Sequence, residues 1–277
     1  MKKTIVAICY DFDKTLATDD MQAFSFIPKL GLDKQEFWNK VYKFTMVNKS
    51  DPVISYLQTM ISECNKRGIV LTQTYLNSLG KNIKFYDGVT TWFNRINSFA
   101  DSNNIQLEHY IISSGNKEII SGCKIAKEFT QIFACEFLFN EQGVAYWPKN
   151  VVNYTQKTQY LFRICKGTTD ITDSKTVNKR VEKKHVEFRN MLYIGDGLTD
   201  VPSMTLVKEK GGTSISVYTP EKKDESLNLL KDDRVNYICK SDFRNNSQLE
   251  KLIKLILENI TLREQLASNE TSKNTKL

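Results

Sequence analysis

The sequence predicts an α/β fold built on an open, doubly wound parallel sheet. Three short apolar runs carry that expectation: Ile5–Tyr10, Leu107–Ser114, and the run from Met191 into Gly195. Each is short and apolar enough to read as a strand buried on both faces. Stretches with helical spacing separate them, as βαβ order requires. Ligands of open parallel sheets sit beyond the carboxyl ends of the strands. The residues that follow each run are therefore the first candidates for chemistry.

The first run ends in Cys9-Tyr10-Asp11-Phe12-Asp13-Lys14-Thr15. Two carboxylates at a strand end are costly unless a cation or a reaction uses them. Phe12 separates Asp11 from Asp13, so in extended backbone both face the same side. Such a pair can divide into a nucleophile and a proton-transfer group around a hard cation. Residues 17–85 then show helical spacing: Phe37, Val41 and Phe44 form one apolar face, and Val53, Leu57, Met60 and Ile61 another. Asp33 and Asp51 read as helix starts, with Pro52 at a first helical position, and Gly31 and Gly68 as stops.

From Asp87-Gly88 the pattern returns to alternating helix and strand. A helix is expected through Val89, Trp92, Phe93 and Ile96. Next comes the second run, ending in Ser113-Ser114-Gly115, and a helix over Ile119–Phe129. Phe133–Phe139 and Gly143–Trp147 flank Asn140-Glu141-Gln142 and predict a hairpin. Lys157 opens a helix through Leu161, Phe162 and Ile164. Thr168–Asn190 holds six Lys or Arg and four Asp or Glu with little apolar periodicity, which predicts an exposed excursion. The third run ends in Gly195-Asp196-Gly197, with Asp200 four residues beyond Asp196. Strands over Ser214–Tyr218 and Val235–Ile238 and an amphipathic helix through Leu249, Leu252, Ile253, Ile256 and Ile260 complete the chain, with a polar frayed end.

Composition narrows the class. The chain has 277 residues, 40% hydrophobic and 26% charged, which suits a globular protein with one large and one smaller domain. Its six cysteines are scattered without a C-x-x-C pair, which points to reduced thiols in a cytoplasmic setting rather than a disulfide framework or a zinc site. Only two histidines are present, His109 and His185, which excludes a histidine-rich metal centre. Met1-Lys2-Lys3 precedes an apolar run too short for a signal peptide, and no stretch is long enough to span a bilayer. A net charge of +7 suits an anionic phosphorylated ligand.

The order D-x-D-x-T, a hydroxyl after a strand, a lysine at a helix start, then G-D-G-x-x-D resembles the haloacid dehalogenase-like (HAD) hydrolase superfamily over roughly residues 4–220. Within it, D-F-D-K-T-L, an early helical insertion and G-D-G resemble the phosphoserine phosphatase-like branch. The dehalogenases of the superfamily lack an acid two residues after the nucleophile, and its ion pumps read D-K-T-G-T and carry membrane segments. The presence of Asp13 therefore favours a phosphatase.

The resemblance implies a Rossmann-like HAD core over residues 1–16 and 86–277, with residues 17–85 as a mobile helical cap. It implies Asp11 as nucleophile, forming an aspartyl-phosphate, and Asp13 as general acid and base. It also implies Mg2+ held by Asp11, the Asp13 carbonyl and Asp196, with Thr15 and Asp200 in support. Ser113 and Lys157 would hold the phosphoryl oxygens, with the Ser114 and Gly115 amides as further donors. Ser114 competes with Ser113 for the hydroxyl role, and Lys166 and Lys175 compete with Lys157. Asp20 falls where the branch carries an acid that meets a substrate amine, although Asp19 and Asp20 also fit as helix caps. The expected substrate is a small phosphorylated metabolite, with no membrane partner, nucleic acid disfavoured and oligomeric state open. Two alternatives remain. One is a non-catalytic phosphate- or nucleic-acid-binding protein on the same fold. The other is a phosphatase acting on polynucleotide ends.

Overall fold

The computed structural model describes residues 3–181 and 183–274; Met1, Lys2, Glu182 and the polar end at 275–277 lie outside it. Its strands are β1 (Thr4–Tyr10), β2 (Ile105–Asn116), β3 (Gln131–Phe139), β4 (Ala145–Asn150), β5 (Met191–Gly195), β6 (Thr213–Tyr218) and β7 (Tyr237–Lys240). They form a seven-stranded sheet in the order β4-β3-β2-β1-β5-β6-β7. The β2/β3, β5/β6 and β6/β7 pairs are parallel, and only the β3/β4 hairpin is antiparallel among the pairings described. Strand order reverses on the two sides of β1, which makes the ends of β1 and its neighbours the switch point of a doubly wound sheet. From Val6 to Tyr10 every residue of β1 is fully buried, as the unbroken apolar run requires.

The chain divides into two compact units. One comprises residues 1–9, 86–109 and 158–277. It holds most of β1, the start of β2, and β5 to β7. Helix Val89–Ser102 packs Trp92 edge-on against Phe243, with ring centroids 5.2 Å apart, and helix Gln248–Asn274 closes the same face. That last helix runs well past Ile260, the last apolar position of its expected stripe. The basic stretch after Gly167 is largely irregular among its described residues, with a short α-helix at Ser174–Asn178 and a 3-10 turn at Phe188–Asn190. It is tied inward by Arg163, which donates to the Asp170 and Ile171 carbonyls, and by Lys166, which donates to those of Val177 and Lys179.

His109 is buried in this unit, with Nε2 2.8 Å from Asn97 Oδ1 and its ring edge-on to Phe93. Burial pushes its pKa down from 6.5 to about 3. The folded chain therefore resists a proton that the unfolded chain accepts below pH 6.5. Stability contributed by this group is complete above 6.5 and declines as pH falls towards 3. Urea unfolding at pH 7 and pH 5 should show about 2 kcal/mol less acid loss in His109→Gln than in wild type. Equal losses in the two proteins would contradict the assignment.

The other unit comprises residues 10–85 and 110–157. Its helical segment contains five helices between Met21 and Gly80. Asp33 and Asp51 cap the two long ones: Asp33 accepts from Glu36 N–H in a reciprocal capping box, and Asp51 accepts from Val53 and Ile54 N–H. Gly31 and Gly68 follow their helices at φ of +69° and +66°, left-handed backbone that stops a helix cheaply only at glycine.

This segment is joined closely to residues 110–157. The Ala145 amide donates to the Leu71 carbonyl at 2.8 Å, and Asn153 Nδ2 donates to the Asp51 carboxylate. A Cβ on Gly122 would lie 1.8 Å from the Asn77 carbonyl oxygen, so the helices meet at contact distances only glycine permits. Beside this contact the structure departs from the expected helix over Ile119–Phe129. The helix is confined to Lys117–Ser121, stops at Gly122, and gives way to a 3-10 turn at Ala126–Glu128. β2 also outruns its expected end and continues through Ser113-Ser114-Gly115 to Asn116, with a register irregularity after Ile112. The last strand starts at Tyr237, two residues later than expected.

Candidate active site

β1 is followed by a tight turn. The Leu16 and Ala17 amides both donate to the Phe12 carbonyl at 3.0 Å, and Lys14 sits at φ +60°. A lysine in the left-handed region costs on the order of 1 kcal/mol, which the surrounding contacts must offset. Phe12 turns into the core against Phe85, while the carboxylates that flank it turn the other way. Thr15 is fully buried at the base of this turn.

Asp11 is 6% exposed, and the Lys157 ammonium lies 2.8 Å from its Oδ1. Lys157 is itself fully buried. Two buried charges in this geometry each neutralise the other, and removing either leaves the partner stranded in a poor solvent for ions. Lys157 enters from helix Gln156–Lys166, whose first amides donate to the Asn153 carbonyl. Lys166 and Lys175 do not share this position: Lys166 caps backbone carbonyls of the basic stretch, and Lys175 is exposed.

Asp13 accepts the Met21 amide on Oδ1 at 2.8 Å. Burial, the charge of Asp20 and the charge of Asp11 hold its carboxyl well above the ordinary carboxylate range, against the lowering pull of the Met21 amide. A carboxyl raised in this way holds its proton more readily than an ordinary carboxylate, as a proton donor must. The expectation that Asp20 caps the following helix needs correction. Asp20 stands at the N-cap of Met21–Phe24 but makes no side-chain cap bond, and Asp13 takes the helical amide instead. The Asp20 carboxylate lies 2.6 Å from Lys14 Nζ and 3.0 Å from Lys34 Nζ, while Asp19 bonds Lys34. A substrate amine would have to compete with two lysines for Asp20.

Ser113 is buried, and its Oγ accepts the Gly115 amide at 3.0 Å. Gly115 backs directly onto Asp13: a Cβ there would lie 3.2 Å from Asp13 Oδ2 and inside the Met21 side chain. The Gly115 amide, a candidate phosphate donor in the sequence, is thus turned inward onto Ser113. The Asn116 amide is turned onto Met21 Sδ at 3.2 Å. Ser114 Oγ is buried without a hydrogen-bond partner. One compact unit therefore brings together Asp11, Asp13, Ser113, Gly115 and Lys157. Met21 and Tyr56 also contact this group. Neither belongs to a motif, and no signal in the sequence distinguishes them from core residues.

The Gly195-Asp196-Gly197 motif lies in the other unit, directly after β5. A Cβ on Gly195 would fall 2.5 Å from Asp200 Oδ2, so glycine at this place lets the Asp200 side chain pass beneath the strand end. Asp200 is fully buried and accepts the Tyr193 hydroxyl at 2.7 Å. Asp196 is more open, with Lys222 Nζ 3.4 Å from its Oδ2. The chemistry of the available donors suits a hard cation. The acids after β1 and β5 offer oxygen only, which magnesium prefers. The thiols are buried and held protonated, Cys135 at about 12 and Cys64, Cys123 and Cys239 at about 11. His109 faces Asn97, and His185 is paired with Glu108 at 2.9 Å.

No family model matches the sequence. An uncharacterized protein of Borreliella burgdorferi is 28% identical over 292 aligned positions, spanning 94% of this chain and 98% of that one. Among solved structures, a HAD family hydrolase of Salmonella enterica serovar Typhi gives a TM-score of 0.57 at 17% identity, covering 90% of this chain and 70% of that one. A substrate-bound phosphoserine phosphatase also gives 0.57, at 14% identity, covering 91% and 99%. The fold is that of the HAD hydrolases. At these identities the likeness is one of fold. No helix among the described residues is long and apolar enough to cross a membrane.

Proposed function

We propose that this protein is a magnesium-dependent phosphatase that hydrolyses a small phosphomonoester through an aspartyl-phosphate on Asp11. The observation that carries the reading is the pairing of two unlike carboxyls at one strand end. Asp11 is held against the buried Lys157 ammonium, and burial with the charges of Asp20 and Asp11 holds the Asp13 carboxyl well above the ordinary carboxylate range. Pairs of acids with diverging environments mark an acid and a nucleophile. The HAD fold and the order of motifs support the same division.

Asp11 attacks phosphorus in line with the leaving oxygen, and Asp13 delivers its proton to that oxygen as the ester bond breaks. Asp13, now ionised, takes a proton from the water that attacks phospho-Asp11. Inorganic phosphate then leaves. Lys157 and the Ser113 hydroxyl hold the phosphoryl oxygens, and Lys157 pairs with Asp11 while the site waits for substrate. Magnesium bound by Asp11, the Asp13 carbonyl and Asp196 would offset phosphoryl charge. Thr15 and Asp200 support the turn and the strand end from beneath.

In this reading residues 17–85 act as the cap that meets the leaving group and limits water. Asp20, engaged by Lys14 and Lys34, gives no specific support to an amine-bearing substrate. Nor does the basic stretch single out nucleic acid, since Lys184 and Arg189 are paired with Glu187 and Glu264. The expected result is turnover of p-nitrophenyl phosphate and of some members of a panel of phosphorylated metabolites, with activity lost on chelation and restored by magnesium. Turnover indifferent to chelator, or none with any ester, would contradict the reading.

A further inference from the structure

Tyr56 projects from helix Pro52–Lys66 and is 5% exposed, with Trp38 edge-on to its ring at 6.1 Å. Its hydroxyl donates to the Ser114 carbonyl at 2.7 Å. Burial holds the phenol well above its ordinary range, so it remains a donor at any working pH. Cys135 Sγ reaches the same carbonyl at 3.2 Å and accepts the Val152 amide at 3.3 Å.

The Ser114 carbonyl and the Gly115 N–H belong to one peptide plane. Tyr56, by the shorter of two bonds, holds the oxygen end of that plane with the Cys135 thiol beside it, and Ser113 Oγ holds the N–H end at 3.0 Å. A serine hydroxyl that accepts from an amide keeps its own proton free to donate elsewhere. If the plane flipped, the N–H would leave Ser113, and the hydroxyl would lose the bond that orients it. Gly115, with its freedom of backbone rotation, is where such a flip is cheapest.

We infer that Tyr56 is a positioning residue: by locking the Ser114–Gly115 peptide it makes Ser113 Oγ an acceptor for Gly115 and frees the Ser113 proton for a phosphoryl oxygen. This inference rests on the phosphatase reading and deepens it. It assigns a residue of the helical segment to phosphate handling rather than to leaving-group choice. It also explains why a tyrosine with no place in any motif is buried beside the loop.

The test is Tyr56→Phe, which keeps the ring packing and removes only the donor. The Gly115 amide should exchange with deuterium roughly tenfold faster than in wild type, and helix Pro52–Lys66 should be unchanged. One net hydrogen bond is worth a factor of roughly three to ten. KM and the inhibition constant of inorganic phosphate should therefore rise together by that factor. The dependence of rate on leaving group should stay as it was. In a Ser113→Ala background the same substitution should have little further effect on either constant, because the group it positions is gone.

Unchanged exchange at Gly115, or a Tyr56→Phe effect of the same size with and without Ser113, would overturn the inference. If the wild-type protein hydrolyses no phosphomonoester, the phosphatase reading fails. The exchange measurement, which needs no turnover, still decides whether Tyr56 locks this peptide.

Discussion

Asp11→Asn is expected to abolish turnover, while Asp13→Asn is expected to lower it by roughly 10² to 10⁴, the usual contribution of a positioned proton-transfer group. The two acids sit two residues apart but in unlike surroundings. Asp11 faces the Lys157 ammonium at 2.8 Å; the Asp13 carboxyl is raised well above its ordinary range by burial and by the charges of Asp20 and Asp11. An amide at position 11 cannot attack phosphorus. An amide at position 13 keeps the shape and the backbone carbonyl but can neither give nor take the proton.

The Asp13→Asn loss should therefore depend on the ester. Alkyl phosphates, whose leaving oxygen needs a proton, should suffer most. Nitrophenyl phosphate should suffer less in the first step, because its leaving group is stable as an anion. Steady-state rates across an ester series measure this directly, and equal losses for both classes would remove the role assigned to Asp13.

Asp196→Ala is expected to cost at least about 10² in turnover and to raise the magnesium concentration needed for half-maximal activity. A cation-binding acid contributes several kcal/mol of charge stabilisation in the transition state. The fold should survive the change. Asp196 follows β5 on the more open side, with Lys222 Nζ at 3.4 Å, whereas Asp200 is buried against Tyr193 and tucked beneath Gly195. Asp200→Ala should instead lower the melting temperature as well as the rate, since it removes the buried bond from the Tyr193 hydroxyl and the side chain packed beneath Gly195. Magnesium titrations beside thermal melts separate the two acids. A fully active Asp196→Ala protein would contradict the proposed cation site.

Much of this arrangement was legible in the sequence because its physics is local. An unbroken apolar run such as Val6–Tyr10 has little choice but a buried parallel strand. Asp33, Asp51 and Pro52 announce helix starts through bonds made within one turn. Gly31 and Gly68 announce stops through backbone that other residues adopt at a cost. The hairpin between β3 and β4 followed from polar residues between two strand-like runs.

What the sequence did not reveal depends on distant partners. Gly122 must be glycine because the Asn77 carbonyl passes within contact distance, and no local pattern encodes that approach. Asp13 rather than Asp20 bonds the Met21 amide, a choice set by how the turn at Lys14 folds back. Tyr56 and Met21 look like ordinary apolar-face residues, yet each reaches the Ser113–Asn116 loop. Lys157 could be singled out only by its place at a helix start. Its burial against Asp11 is a tertiary fact.

The most direct test of the account is covalent. Asp13→Asn protein, mixed with magnesium and a ³²P-labelled nitrophenyl-type phosphate ester and quenched in acid, should retain label, because attack proceeds while water activation fails. Proteolysis and mass spectrometry should place the phosphoryl group on Asp11 in the peptide that contains Cys9-Tyr10-Asp11-Phe12. Label on Asp11 in this variant, absent when Asp11→Asn is added, is the predicted result. Label on another residue, or turnover by the variant with no covalent phosphate at any time, would contradict Asp11 as the nucleophile.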